Sequence, residues 1–410
     1  MADRRGLAQA SKLVRRMTLD NKPELTSQVA QVISDQGWDA GVDFLVDRPL
    51  DTSTLPKDKS GVYKSFVIHQ AAWLDLAKVN NNPVQDRMAF FWQTILTSNY
   101  FFVGQHRQIL AEQIERVRAI GMTNYRDMLH AHVIDPLLMR FLSAQENWKD
   151  EPNENLAREL MELFTFGKGN YTEEDVRNTA LAIGGWVLRD NHIPEFKPAR
   201  AYSGQLTILG QTRAWDIRSV TDNLLDNPLT AKRISGLFWA EMMGEQTPAP
   251  ENLGREWFDL GYDITWLVKR VLKSQEFVSS PHYVRPRSGF EYYMNVNRLL
   301  QHASNDESKL YNLGQSPWRP PNVSGWPGFD RWHGVSSTMA RANLVSEGFN
   351  DAAPDTSVDE ILDQCGIYEI SDSTLNLLNS AGQLNGASSA QEVTRLRWWL
   401  ALSSPEANLT

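Results

Sequence analysis

The chain is poor in cysteine: among its 410 residues only Cys365 carries a thiol. A lone thiol excludes an intramolecular disulfide and removes cysteine-rich zinc sites from consideration, so the chain suits a reducing compartment or one where disulfides are not used. Its expected place is the core, as a small hydrophobe. Long apolar runs are also missing. The most apolar stretches, MAFFWQTIL and LAIGGWVL, fall short of the roughly 18 residues needed to cross a bilayer. The basic start MADRRGLAQASKLVRRM is not followed by the apolar block of a signal peptide. The expected location is therefore the cytoplasm or an assembled particle, with no membrane span. Positive charge is not in excess either. Lys and Arg number 41 against 50 Asp and Glu, for a net charge of -9. That speaks against a nucleic-acid partner, since such binding depends on clustered basic side chains neutralising phosphates. The signatures HExxH, GxGxxG after a strand, the phosphate-cradling P-loop and GxSxG are all absent. His130 and His132, two residues apart, would point to opposite sides of a helix and lack paired-ligand spacing. No metal site and no cofactor are expected.

Large side chains, by contrast, are plentiful. A hydrophobic fraction of 41%, with 14 Trp, 16 Phe and 11 Tyr, supplies enough apolar surface for a sizeable core. Apolar residues recur at helical intervals along most of the chain. Residues 4 to 50 predict two helices. Further helices are predicted over 61–79 and 84–103, split by Asn80 to Pro83, then from Gln105 to Ile120 before Gly121, and through Tyr125 to Leu142. Others are predicted over 216–225, 229–243, 252–260, 264–278 and 290–301. The stretch Asn191 to Ala214, with Pro194, Pro198, Gly204 and Gly210 around QLTIL, predicts a loop with at most a small β-hairpin. The expected fold is mainly α: a single large multi-helix domain over residues 1–345 with long irregular loops. Residues 346–410 are expected to form a polar loop and closing helix packed on the same body. No fixed-period repeat supports a solenoid.

The segment PNENLARELMELFTFG places Leu156, Leu160, Leu163 and Phe164 on one helical face and Glu154, Arg158 and Glu162 on another. Asn153 is placed to cap the first turn. After Gly167 and Gly169, Thr172 and Asp175 form a capping-box pattern opening a second helix, so that the two helices form an antiparallel pair across a short glycine turn. Carboxylates beside a guanidinium can hold one acid protonated and another ionised, as acid-base chemistry requires. The same spacing is also the ordinary ion-pair ladder of a solvated helix face. Farther on, PPNVSGWPGFDRW is unusually aromatic for a non-helical stretch. Trp318, Trp326, Phe329 and Trp332 can line a groove for a sugar or peptide, or can anchor the loop to the helical body. His192 and His333 lie in loop-like regions.

NENLARELMELFTFGKGNYTEEDVRNTALAIGGW resembles the signature of the large bacterial domain-of-unknown-function family numbered eighteen hundred, whose members are often encoded beside a sulfatase-like partner. LGQSPWRPPNVSGWPGFDRWHGVSSTMARAN is similar to that family's second hallmark, and SKLVRRMT, LDNPLTAKRISGLFW and LALSSPEAN fall in the family's order. The resemblance spans nearly the whole chain and implies one mainly helical unit without a settled activity. It carries over Asn153, Glu154, Asn155, Arg158, Glu159, Glu162, Tyr171, Thr172, Asp175 and Trp186 in the first block. In the second it carries over Gln315, Pro321, Asn322, Gly325, Trp326, Pro327 and Trp332. Where relatives commonly carry Asn-His-Phe after the Trp of the second helical region, this chain has ILTSNYFFV after Trp92. Ala201 and Tyr202 stand for a His-Asp pair, and Phe164 for a His. Titratable groups have been replaced, and the export signal of many relatives is not seen.

Two expectations of function follow. The first is a non-catalytic structural or partner-binding protein, a subunit of a larger assembly such as a virion, working through protein contacts or self-assembly. Its binding residues are expected among Asn153, Asn155, Trp318, Asn322, Trp326 and Trp332. The second is an enzyme that uses Glu154, Arg158 and Glu162 for acid-base chemistry on a polar substrate such as a glycan or modified protein.

Overall fold

The structure is a computed structural model that describes residues 4–55, 66–104, 106–190, 192–300, 307–328, 332, 334–348, 356–384 and 389–410. It begins with α1 (Arg4–Met17), α2 (Pro23–Gln36) and α3 (Trp38–Val46). The sequence predicted two helices here. The apolar periodicity runs on past residue 37, but Gly37 at φ 91° turns the chain and separates α2 from α3. α1 is amphipathic in an unusual sense, because Lys12, Arg15 and Arg16 are buried along with Leu13, Val14 and Met17. Lys12 Nζ donates to the carbonyls of Phe277, Val278 and Ser280 at 2.7, 2.9 and 2.9 Å. Arg15 donates to Gly366, Glu406 and Leu409, and Arg16 to Met242. The basic N-terminal stretch thus pins distant segments together through their backbone carbonyls.

α4 (Phe66–Val79) and α5 (Pro83–Ile95) are divided at the expected break, where the Asn82 side chain accepts from the Gln85 amide and Pro83 occupies the first helical turn. α5 stops at Ile95 rather than running to Val103, and a short 3-10 turn, Tyr100–Val103, follows. α6 (Gln108–Ile120), α7 (Tyr125–Val133) and α8 (Pro136–Phe141) follow, the last two capped by Asn124 and Asp135. α9 (Asn155–Glu162) and α10 (Glu173–Ile183) are the central pair, and the Thr172–Asp175 capping box forms as expected. α9 is shorter than predicted and the connection 163–172 longer.

Between α10 and the next helix the chain makes two hairpins, where the sequence predicted at most one. β1 (Trp186–Arg189) pairs with β2 (Ile193–Phe196), and β3 (Gln205–Ile208) with β4 (Gln211–Ala214). Pro194 is tolerated in β2 because a two-stranded ribbon has only edges. α11 (Ile217–Leu225), α12 (Pro228–Met243), α13 (Leu253–Asp259), α14 (Ile264–Leu272) and α15 (Gln275–Ser279) follow. α14 and α15 occupy one predicted helix, broken where the Ser274 hydroxyl caps Phe277. The last helices are α16 (Gly289–Leu300), α17 (Glu307–Asn312), α18 (Val335–Gly348), α19 (Val358–Cys365), α20 (Asp372–Asn379), α21 (Ala390–Ser403) and α22 (Pro405–Asn408).

The fold is mainly α, and among the described residues those two small antiparallel ribbons are the only sheets. One hydrophobic cluster joins α1–α3, α5 and α7 with the elements from α9 to α15. A second joins α4 and α6 with α16 and the closing helices α19, α21 and α22. Cys365 lies in the second, where burial pushes its thiol up to about 12, as suits an inert core residue. Among the described residues no helix is long and apolar enough to cross a membrane.

Candidate functional site

The Glu/Arg ladder of α9 lies on the surface and pairs differently from its sequence spacing. Arg158 meets Glu154 at 3.1 Å and Glu173 of α10 at 2.8 Å, with side chains 34%, 39% and 77% exposed. Glu162 turns instead to Lys168, at 2.8 Å, and accepts from the Tyr171 hydroxyl at 3.1 Å. Burial and the neighbouring Glu162 carboxylate hold the Glu159 carboxyl above its usual range. The ladder therefore ties α9 to α10 and to their connection. The Asn153 side-chain Oδ1 accepts from the Asn155 amide at 3.0 Å, satisfying one amide of the first turn of α9, whose N-cap position is Glu154; Asn155 itself is exposed. Asn153 also borders an open surface hollow with Glu146, Trp148, Glu151 and Pro152.

The aromatic residues predicted for this loop do not share one role. Trp318 is fully buried, set edge-on to Trp73 at 4.9 Å, and its indole N–H donates to Gln113 Oε1 at 2.9 Å. It is an anchor. Asn322 closes a tight turn: its side chain accepts from the Ser324 amide at 2.9 Å and its carbonyl from the Gly325 amide at 3.2 Å. Phe329 and His333 lie outside the described residues. Trp326 and Trp332 face a cavity of about 250 Å³.

That cavity lies between α5, α12 and the tryptophan loop. Phe90, Phe91, Thr94 and Ile95 come from α5, while Arg233, Leu237, Ala240 and Glu241 come from one face of α12 at intervals of about one turn. Leu163, just past α9, closes another side, and Glu245, Ser288 and Gln315 complete the polar lining. Arg233 is held in place by donating Nη1 to the carbonyls of Leu163 and Thr165 at 2.6 and 3.2 Å. Gln315, only 3% exposed, accepts from the Phe290 amide at 3.1 Å and so caps the start of α16.

Behind the cavity lies a buried ion-pair network. Arg87 and Arg285 are 0% and 1% exposed at the side chain and both reach Glu241 Oε1. Both also reach Glu291, at 3.2 and 2.6 Å. Glu291 accepts from the Ser288 amide while Ser288 Oγ accepts from the Glu291 amide, a capping box at the head of α16. Burial disfavours the ionised form of Glu291, but Arg285, Arg87 and the Ser288 amide outweigh it and hold the carboxyl well below the usual range. The arrangement keeps α5, α12 and α16 in fixed relation; Glu241 lines the cavity, and its Oε2 has no hydrogen bond from the protein among the described residues.

A family model described as a protein of unknown function, DUF1800, matches residues 7–409. The chain belongs to the DUF1800 family. No curated protein and no solved structure matches it. In this DUF1800 member the two sequence hallmarks take different places. Gln315, Trp326, Pro327 and Trp332 of the second line the cavity, whereas the first touches it only through Leu163 at the end of its helix. Arg87, Arg233, Glu241, Glu245, Arg285 and Glu291 were not singled out from sequence. Two signals were available: the spacing of Arg233, Leu237 and Glu241 on one helical face, and the Ser288-x-x-Glu291 capping pattern. Of the replaced positions, Phe164 packs edge-on against His132 at 5.5 Å in the buried interior. Among the described residues no three His, Cys, Asp or Glu side chains are grouped to hold a metal ion.

Proposed function

We propose that this DUF1800 protein is a non-catalytic recognition protein, a subunit that binds a partner molecule through the cavity walled by Trp326 and Trp332. The observation that carries this reading is the lining of the cavity itself. It is mostly aromatic and aliphatic, with polar groups fixed from behind, Glu241 and Ser288 by the Arg87–Arg285–Glu291 network, Arg233 by the Leu163 and Thr165 carbonyls and Gln315 by the Phe290 amide, as in preformed binding sites. A second support is the pairing of Glu154 and Arg158 at the surface, and of the half-buried Glu162 with Lys168 and Tyr171, where each serves helix packing. Membership of a larger assembly, a virion included, fits the same reading, with the cavity as the contact point.

The test is purification of the tagged protein from cells that produce it, followed by quantification of what accompanies it. A partner retained in fixed stoichiometry, lost on Trp326→Ala and kept by the double variant Arg158→Ala, Glu162→Ala, is the expected outcome. A turnover abolished by the double variant with fold and complex intact would overturn the proposal in favour of an enzyme.

A further inference from the structure

The polar groups of the cavity come in matched kinds. Glu241 Oε2 and the Glu245 carboxylate are acceptors with no hydrogen bond from the protein among the described residues. Gln315 spends its oxygen on the Phe290 amide, and its NH2 group has no protein acceptor among the described residues although the side chain is 3% exposed. Arg233 commits Nη1 to two carbonyls and borders the same cavity. An amide donor that borders a cavity and that no protein group pairs is open to an acceptor on a ligand, just as the two carboxylates are open to donors.

Charge narrows the ligand. Around the cavity and its floor, Glu241, Glu245 and Glu291 face Arg87, Arg233 and Arg285, three charges against three. A cation would leave the Gln315 and Arg233 donors unmatched, and an anion would meet two carboxylates. Hydroxyl groups both donate and accept, and so satisfy both sets at once. The two indole rings require an apolar face on the same ligand, which a pyranose ring presents through its C–H groups. The volume of about 250 Å³ is below the roughly 300–1,000 Å³ typical of drug-sized ligands, which suits one ring. We infer that the cavity takes a single neutral sugar unit of a glycan, its C–H face on Trp326 and its hydroxyls on Glu245, Glu241 and Gln315. This inference rests on the recognition function proposed above and names the chemistry of the group recognised.

Saturation-transfer NMR on the intact protein, with a panel of methyl glycosides of the common neutral and N-acetylated hexoses, tests it. Transfer to the ring protons of at least one glycoside is expected, with binding weakened about tenfold in Trp326→Ala, where the stacking surface is lost. Glu245→Gln, which keeps the side-chain size and an acceptor oxygen, should weaken it less. Melting curves establish that both variants remain folded. Failure of every glycoside to bind, while a peptide binds and is lost on Trp326→Ala, would overturn the sugar and leave the recognition site standing. Failure of both probes, with partner retention indifferent to Trp326→Ala, would overturn the sugar and the recognition function together.

Discussion

Arg285 grips Glu291 with two hydrogen bonds, Nη1 to Oε2 at 2.8 Å and Nη2 to Oε1 at 2.6 Å, both side chains being almost wholly buried. Because the pair also holds Glu241 at the cavity floor, its loss should be felt both as stability and as site geometry. Breaking one side of a buried pair typically costs about 3–5 kcal/mol, since a charge is left uncompensated. Glu291→Ala is therefore expected to lower the denaturant midpoint by a corresponding amount, and Glu291→Gln by less. The pH dependence has a definite sign. The folded-state carboxyl is held below its unfolded value, so its contribution is present above the ordinary carboxylate range of about 4.3 and is lost as pH falls toward the folded value. The stability gap between wild type and Glu291→Gln should shrink on acidification; a gap that widened would contradict the ion-pair account.

His132 predicts a second pH effect at a different place on the scale. It is fully buried against Phe164, and burial lowers its pKa from 6.5 to about 4. The unfolded chain takes up a proton on this residue as pH falls through 6.5 while the folded chain does not until about 4. Stability should decline across that window and level off below it. In His132→Leu this component should vanish, leaving a flatter profile of melting temperature between those limits. An unchanged slope would place the titrating group elsewhere.

These two predictions also mark what sequence could and could not reveal. Local devices were legible: the Asn82-Pro83 helix start, the Thr172–Asp175 capping box and the turn around QLTIL each depend on residues a few positions apart. Gly37 was passed over because the apolar period continues through Trp38, and the β1–β2 ribbon because four-residue strands carry too little alternation to register. The cavity had a harder obstacle. Trp326 was recognisable as an aromatic in a loop, but its neighbours Phe91, Glu241 and Gln315 come from three separate parts of the chain, and only tertiary packing joins them. The arginines were hidden for a related reason. A charged residue in a helix reads as a solvated face, whereas Arg15, Arg16 and Arg87 are buried on partners hundreds of residues away or on other helices.

The surface ladder should prove dispensable. Arg158 is about one-third exposed, and Glu173 is mostly so. Solvent and salt screen such pairs, and the side chains lose rotamer freedom by forming them. Arg158→Ala is expected to melt with the wild type in high salt and to leave the cavity's ligand affinity unchanged. A large loss of stability that persisted in high salt would show that the guanidinium does more than join α9 to α10.

Trp318 and Trp326, eight positions apart in one loop, should respond in opposite ways to truncation. Trp318 is fully buried and hydrogen-bonded to Gln113, so Trp318→Ala should cost about 3–5 kcal/mol through the cavity it leaves. Trp326 is only half-buried at the cavity wall, so Trp326→Ala should cost much less in stability while weakening binding. Chemical denaturation of the two variants beside a binding titration separates anchor from recognition surface. Equal destabilisation would mean that both rings are anchors.

Gly325 sets the position of that recognition ring. It adopts φ 83°, and a Cβ there would lie 2.9 Å from the Thr94 carbonyl oxygen and 3.3 Å from Thr97 Cγ2. The Thr97 hydroxyl in turn donates to the Val323 carbonyl, so the turn is pressed against the end of α5 with no room to yield. Gly325→Ala combines left-handed strain, on the order of 1–2 kcal/mol, with a backbone clash. The turn is expected to relieve both by lifting away from α5 and carrying Trp326 with it. In protein labelled with 5-fluorotryptophan, the Trp326 resonance, assigned through Trp326→Phe, should move in Gly325→Ala while the Trp318 resonance stays, because Trp318 is fixed independently by Trp73 and Gln113. Movement of both would mean that the loop is displaced as a whole, and movement of neither that the turn absorbs a side chain without shifting the site.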